Sequence, residues 1–358
     1  MKNFKIDENI WALAENYKTE GDVGFGREMY PVMLVSDYAN GEWSELRAIP
    51  YGPISLDPAA KVLHYAQEIF EGLKAYKNEK GEVFLFRPDM NAKRFNISAD
   101  RMAMPSFPEE MFVESVKFLA SVAHKTISDK KGSSLYFRPF MIATEPTMGV
   151  RPSNTYTYML LASPADNYFS SPNVRVMIER DNCRATPGGT GYAKAGGNYA
   201  ASLRAYQKTK EQECDQTLWL DALEKKYIEE LSGMNFFAVV GEELQTPALS
   251  DSILAGVTRD SLLKLASSLG LRPVEKRMNI DSLLAQIESG ECSEVFACGT
   301  AAVITPIDAL VDNGREYRLK TVGEARQSLK LKNLLLDIQR GQAGEFKDWI
   351  VAIDPVQK

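Results

Sequence analysis

The order of apolar and polar positions predicts strands mixed with helices, without the regular strand–helix alternation of a doubly wound sheet. Val83-Phe84-Leu85-Phe86 is a short apolar run after a turn at Lys80-Gly81. Leu135 to Ile142 (LYFRPFMI) is rich in β-formers, and its Pro139 points to a sheet edge or a bulge, since proline has no N–H for the ladder. Thr155 to Ala162 (TYTYMLLA) reads as another strand. A helix is predicted from Glu109, with Phe112, Val116, Leu119 and Ala123 on one stripe and capping-box spacing between Ser106 and Glu109.

The second half opens on a glycine-rich stretch and then predicts a helix over 200–213. Strands follow at Thr217–Leu220, Lys226–Glu230, Asn235–Val240 and Glu294–Cys298. A further helix is punctuated by Thr258 as N-cap, leucines on one face and Gly270 just past its end. Turn formers gather in Ser163–Asn173 between two strands. They place a linker at 166–173 and divide the chain into domains 1–165 and 174–358.

Composition narrows the class. The 358 residues carry 42 Lys+Arg and 48 Asp+Glu, a net charge of −6, which disfavours a nucleic-acid partner. The hydrophobic share of 44% excludes disorder. No apolar run reaches the roughly 18 residues of a membrane span, so no membrane partner is expected. The start, MKNFKIDENIWALAENYK, has neither an apolar core nor Arg/Ser-rich character, so a cytoplasmic location is expected. Cys183, Cys214, Cys292 and Cys298 form no CxxC pair and read as reduced thiols, and no metal site is expected. His64 and His124 are the only histidines, which argues against a His-centred triad.

The candidate chemistry lies elsewhere. Residues 188–197 hold five glycines around Lys194, in neither P-loop nor dinucleotide-binding order. A lysine in a close-packed glycine-rich segment suits a Schiff-base amine, and the plain alternative is a surface lysine on a loop. A pyridoxal phosphate site would also need an acid facing the ring nitrogen, a helix N-terminus and a cation for the phosphate. Glu229 and Glu230 end a predicted strand, Val257 and Thr258 open a predicted helix, and Arg94 stands in a helical stretch.

Eight segments then carry a resemblance: FEGLKAY (70–76), FRPDMNAKR (86–94), LYFRP (135–139), EPTMGV (145–150), GYAKAGGNY (191–199), EELSGMN (229–235), GVTRDSL (256–262) and CGTAAVITP (298–306). In this order, across most of the chain, they resemble the branched-chain amino acid aminotransferases, class IV enzymes of fold type IV that use pyridoxal 5′-phosphate. The resemblance implies an α+β fold with a smaller α/β N-terminal domain, a larger pseudo-barrel C-terminal domain and an active site between them. It implies ping-pong amino transfer between leucine, isoleucine or valine and 2-oxoglutarate.

By the same resemblance, Lys194 is the attachment point and proton carrier, Glu230 faces the pyridine nitrogen and Tyr199 donates to the 3′-oxygen. Glu229 is expected on the opposite side of the strand from Glu230. Arg94, the Val257 and Thr258 amides and Thr300 hold the phosphate. The Thr300 and Ala301 amides take the α-carboxylate. Tyr65, Phe70, Tyr136 and Tyr168 line the side-chain pocket, for which core packing is the plain alternative. Arg138 meets the γ-carboxylate of glutamate. Met148 and Val150 reach the neighbouring subunit's pocket, which implies a homodimer. The CxxC redox pair of some relatives is replaced by Ala302-Val-Ile-Thr305, so no thiol switch is expected there. Other fold-type-IV enzymes, such as D-amino-acid aminotransferases or aminodeoxychorismate lyases, match fewer of these motifs. A catalytically silent relative would have no need of Lys194, Tyr199, Glu230 and Arg94 together.

Overall fold

The structure, a computed structural model, describes residues 4–19, 23–166, 174–320 and 326–355. The chain divides into two compact units, 1–168 with 336–358, and 169–335. The C-terminal tail therefore belongs with the first unit, where the expected division at 174–358 had left it in the second. Its strand Ile350–Ile353 pairs antiparallel with Val83–Phe86. The Arg87 amide donates to the Trp349 carbonyl at 2.7 Å, and the Arg87 guanidinium lies over the Trp349 ring. That tail also makes the first unit the longer of the two.

The first unit is built on one sheet. Its strands run in the order Phe4–Ile6, Leu46–Pro50, Val32–Ala39, Tyr156–Ala165, Ser134–Ala143, Leu73–Lys77, Val83–Phe86 and Ile350–Ile353. Helices Pro88–Arg101 and Glu109–Val122 pack on each other, and Phe95, Phe107, Phe112 and Tyr158 fill the core beside them. The Phe107 and Tyr158 rings stack at 4.0 Å, and the Tyr158 hydroxyl meets Ser115 Oγ at 2.9 Å, so the ring is buried without an orphaned polar atom. The predicted stripe of Phe112, Val116, Leu119 and Ala123 is buried throughout.

Two local expectations fail here for identifiable reasons. The capping box does not form: Pro108 is the N-cap residue, so Glu109 stands at the first helical position, too early in the helix to reach back. Pro139 lies neither at an edge nor at a bulge of its own strand, which pairs on both sides. It lies where its neighbour breaks, between Glu68–Phe70 and Leu73–Lys77, and its carbonyl still accepts the Glu71 amide at 2.7 Å. A central proline is tolerated there because the missing N–H faces that break.

The second unit holds a second sheet, in the order Arg272–Lys276, Glu243–Pro247, Asn235–Val240, Ile228–Leu231, Gln216–Leu220, Arg175–Glu179, Ala309–Asp312 and Arg315–Arg318. Asn235–Val240 also pairs with Cys292–Gly299, which turns back through Val303–Ile307. All six residues of Asn235–Val240 are buried, as the apolar run Phe236–Val240 suggests for a strand covered on both faces. The predicted helix over 200–213 forms over Leu203–Glu211, and Ala200 ends a separate short helix, Gly196–Ala200. Gly270 has φ +71° and ends the helical segment that starts at Val257, as expected of a C-terminal glycine. The linker positions 167–173, and with them Tyr168, lie outside the described residues.

Candidate active site

In the second unit, four segments distant in sequence converge. Lys194 follows the glycine run, and its Nζ lies 2.8 Å from the Tyr199 hydroxyl; both side chains are half-buried. The Tyr199 ring passes so near Gly233 that a β-carbon there would sit 3.8 Å from it. Gly233 belongs to the turn joining Ile228–Leu231 to Asn235–Val240. The Gly299-Thr300-Ala301 turn packs beside it, since a β-carbon on Gly299 would lie 3.4 Å from Met234 and 3.6 Å from the Gly233 carbonyl. Antiparallel pairing of Asn235 with Cys298 places the two turns side by side. Lys194, Tyr199, Thr300 and Ala301 are thus gathered around one pair of hairpin turns.

Glu230 lies at the end of the same strand and is 4% exposed. Its carboxylate pairs with Arg184 at 2.9 Å, with both side chains 5% exposed. It also accepts the Leu254 amide at 3.1 Å and the Asn235 carboxamide at 3.2 Å. Burial pushes the Glu230 carboxyl up to about 7, opposed by the charges of Arg184 and Lys194. Glu229 accepts the Ser252 hydroxyl and is likewise raised by burial. The expected separation of the two glutamates is incomplete at their carboxylates: both side chains reach the Ser252–Leu254 segment, and each carries its own partner there.

Asn235 also donates to the Leu254 carbonyl at 2.9 Å and lies against Gly256, where a β-carbon would be 2.0 Å from its Oδ1. This close approach explains the glycine of GVTRDSL, whose φ of −68° any residue could adopt. It also corrects the cap. Gly256 is the N-cap residue of Val257–Leu265, and Thr258 is the second residue of the helix. The Val257 and Thr258 amides, in the first turn, have no intrahelical acceptor. A helix start of this kind favours an anion.

In the first unit, Phe70, Glu71 and Gly72 organise a second cluster. The Arg138 guanidinium lies 4.7 Å from the Phe70 ring centroid and 5.4 Å from that of Tyr136, and donates to the Tyr136 hydroxyl at 2.9 Å. Gly72 is required because a β-carbon would stand 2.2 Å from the Tyr136 hydroxyl. Glu71, fully buried, accepts from Arg94 Nε at 2.7 Å and Nη2 at 2.9 Å, and from Asn91 at 2.8 Å. This bidentate pair fixes the plane of the Arg94 guanidinium. Glu68 is raised by burial and feels the charge of Arg138.

The structure thus brings Phe70, Tyr136 and Arg138 together and locks Arg94 onto Glu71, the residue next to Phe70 in sequence. It sets Tyr65, Met148 and Val150 apart on the surface, at 41%, 69% and 87% exposure. The Tyr65 hydroxyl donates to the Met148 carbonyl. Both histidines rest against backbone carbonyls, His64 on Pro58 and His124 on Ser121. Sequence reasoning missed Arg184, and it noticed Glu71 and Asn235 only as parts of motifs. An arginine and an asparagine give no sequence signal of burial, although Arg184 does precede the glycine run.

A buried carboxylate, a lysine on a tyrosine hydroxyl and a helix start with unpartnered amides form a donor set that fits pyridoxal phosphate: an acid for its ring nitrogen, an amine for its carbonyl, an anion site for its phosphate.

Comparisons with known proteins bear on family and fold. The family model described as Amino-transferase class IV matches residues 68–310. A branched-chain-amino-acid aminotransferase of Mycolicibacterium smegmatis is 47% identical over 339 residues, covering 92% of each chain. The branched-chain-amino-acid transaminase 1 of Bacillus subtilis is 45% identical over 344 residues, covering 94% of this chain and 97% of its own. Among solved structures, the branched-chain aminotransferase of Thermoproteus uzoniensis with norvaline shares the fold at a TM-score of 0.75 and 24% identity, over 90% of this chain and 99% of that one. The branched-chain amino acid aminotransferase from Escherichia coli has a TM-score of 0.70 and 26% identity, over 91% of this chain and 100% of that one. With motif order, fold and relatives in accord, the chain belongs to the branched-chain-amino-acid aminotransferases, within the pyridoxal-phosphate-dependent class IV aminotransferases.

Proposed function

We propose that this aminotransferase moves the amino group between leucine, isoleucine or valine and 2-oxoglutarate, with Lys194 as its catalytic residue. The observation that carries the assignment is the 2.8 Å contact of Lys194 Nζ with the Tyr199 hydroxyl, in a cluster whose buried acid is Glu230. Bound pyridoxal phosphate supplies a carbonyl carbon and a ring that accepts electrons. Lys194 would hold that group by its amine and would move the proton at the substrate α-carbon. Glu230, buried and paired with Arg184, would face the ring nitrogen and keep a proton on it. Tyr199 donates to the ring oxygen, and its hydroxyl also orients Lys194.

Phosphate is held by the Val257 and Thr258 amides, Thr300 and Arg94, whose guanidinium plane Glu71 fixes. The Thr300 and Ala301 amides take the α-carboxylate. Phe70 and Tyr136 bound an apolar wall, which gains about 0.8 kcal/mol per buried CH₂ of a branched side chain. Arg138, stacked on Phe70, offers glutamate's γ-carboxylate the partner it needs away from water. Met148 and Val150, exposed on their loop, enter the pocket of a second copy, so the working unit is a homodimer.

Borohydride treatment of the yellow holoenzyme, followed by peptide mapping, tests the assignment. The reduced adduct is expected on Lys194, and Lys194→Ala is expected to bind the cofactor without a reducible link and to lose turnover. An adduct on Lys74, or near-normal turnover of Lys194→Ala, overturns it.

A further inference from the structure

Lys61 is 0% exposed, which is unusual for an ammonium, because burying an unpaired charge is costly. Its Nζ donates to the Gly149 carbonyl at 2.5 Å and to the Arg151 carbonyl at 3.0 Å. Both acceptors belong to the loop that carries Met148 and Val150. The same loop is held along its length. The Lys61 amide donates to the Glu145 carbonyl at 3.2 Å, and Ala60 bridges Pro146. Arg151 pairs with Glu145 through two bonds, at 2.5 and 3.0 Å, and the Tyr65 hydroxyl binds the Met148 carbonyl. Lys61 and Tyr65 grip the loop by its backbone carbonyls, the Arg151–Glu145 pair ties its two ends together, and the two apolar side chains are left in solvent.

A loop that only connects two strands has no need of a buried ammonium. A loop that must present two side chains in fixed positions does, because order paid for in advance is not lost on binding. We infer that Lys61 is a positioning residue, which fixes the backbone of 147–151 so that Met148 and Val150 enter a second copy's substrate pocket in one geometry. This inference rests on the proposed role of that loop in the neighbouring pocket. Lys61 touches neither substrate nor cofactor; it acts through the Gly149 and Arg151 carbonyls.

The test uses Lys61→Met holoenzyme, which keeps the apolar stem and removes the donors. KM for leucine is expected to rise at least roughly tenfold, the effect of losing the charged donor's bonds to the Gly149 and Arg151 carbonyls, with kcat within about twofold of the original. Amide hydrogen exchange is expected to quicken at 147–151 and nowhere else. Lys61→Gln, which keeps a neutral donor, takes its place in the same assays should Lys61→Met not fold. Mixed dimers of Lys61→Met with Lys194→Ala then separate positioning from plain stability. Their one working lysine sits in the Lys61→Met copy, whose pocket receives the intact loop of the other copy, so KM is expected to return to the original value. An unchanged KM in the Lys61→Met homodimer, or a raised KM that persists in the mixed dimer, overturns the inference. Val150→Ala distinguishes the two failures. If it raises KM while Lys61→Met does not, the loop reading stands and the role of Lys61 falls. If Val150→Ala changes nothing and sedimentation finds monomers, the loop reading itself falls, and the inference with it.

Discussion

Removing the cation that faces Glu230 gives a stability loss whose pH dependence can be worked out from the structure. In Arg184→Met, the Glu230 carboxylate loses a 2.9 Å partner at a site where both side chains are 5% exposed. Breaking a buried pair from one side costs about 3–5 kcal/mol, because the remaining charge is left uncompensated. The carboxyl escapes that cost by keeping its proton. In the native cofactor-free chain it titrates at about 7, against 4.5 when unfolded. Between those values the folded chain holds a proton that the unfolded chain releases. Stability therefore falls as pH rises through that window and levels off above about 7.

Without Arg184 the folded value moves higher, and the decline continues past 7. Each further unit adds about 1.4 kcal/mol of loss. At pH 6 the variant is expected to lose only what the Gly191 and Ser252 carbonyls lose as acceptors, about 1–3 kcal/mol. At pH 9 roughly 3 kcal/mol more is expected. Urea unfolding of cofactor-free protein at fixed concentration, from pH 6 to 9, measures the difference. The double variant Arg184→Met/Glu230→Gln is expected to recover the pH-dependent part, since no charge remains to be paired. A loss of equal size at pH 6 and pH 9 would refute the reasoning.

Two further perturbations follow from the first unit. Gly72→Ala sets a methyl group 2.2 Å from the Tyr136 hydroxyl and is expected to cost about 1–3 kcal/mol, read as a lower Tm with a raised KM for leucine. An unchanged Tm would mean that Tyr136 moves aside freely and does not form a fixed wall. Arg138→Ala is expected to raise KM for glutamate and 2-oxoglutarate about tenfold to a hundredfold, the loss of one charged hydrogen-bond pair, and to leave leucine much less affected. Equal losses for both substrate classes would count against a γ-carboxylate role.

Much of the local architecture was legible in the sequence, and the errors are instructive. Val83–Phe86 and the strands read at 135–142 and 155–162 follow from composition, because they are buried on nearly every side, and the stripe from Phe112 to Ala123 follows from period, because one helix face is buried. Pro139 misled because its tolerance depends on a break in the adjacent strand. Ser106 and Thr258 misled as caps, because Pro108 and Gly256 occupy the positions where the helices begin. Glycine patterning singled out Lys194, and motif order supplied the family.

The sequence by itself determined a subset of the strands and helices, the glycine that ends the helical segment at 270 and which lysine is the candidate amine. These are local properties of side-chain period and backbone freedom. Only the tertiary structure decided that Glu230 meets Arg184, that Glu71 locks Arg94 and that Lys61 lies buried beneath a loop 88 residues further on. Burial and charge pairing are set by segments far apart in the chain, and an isolated arginine, glutamate or lysine carries no mark of the partner it will find.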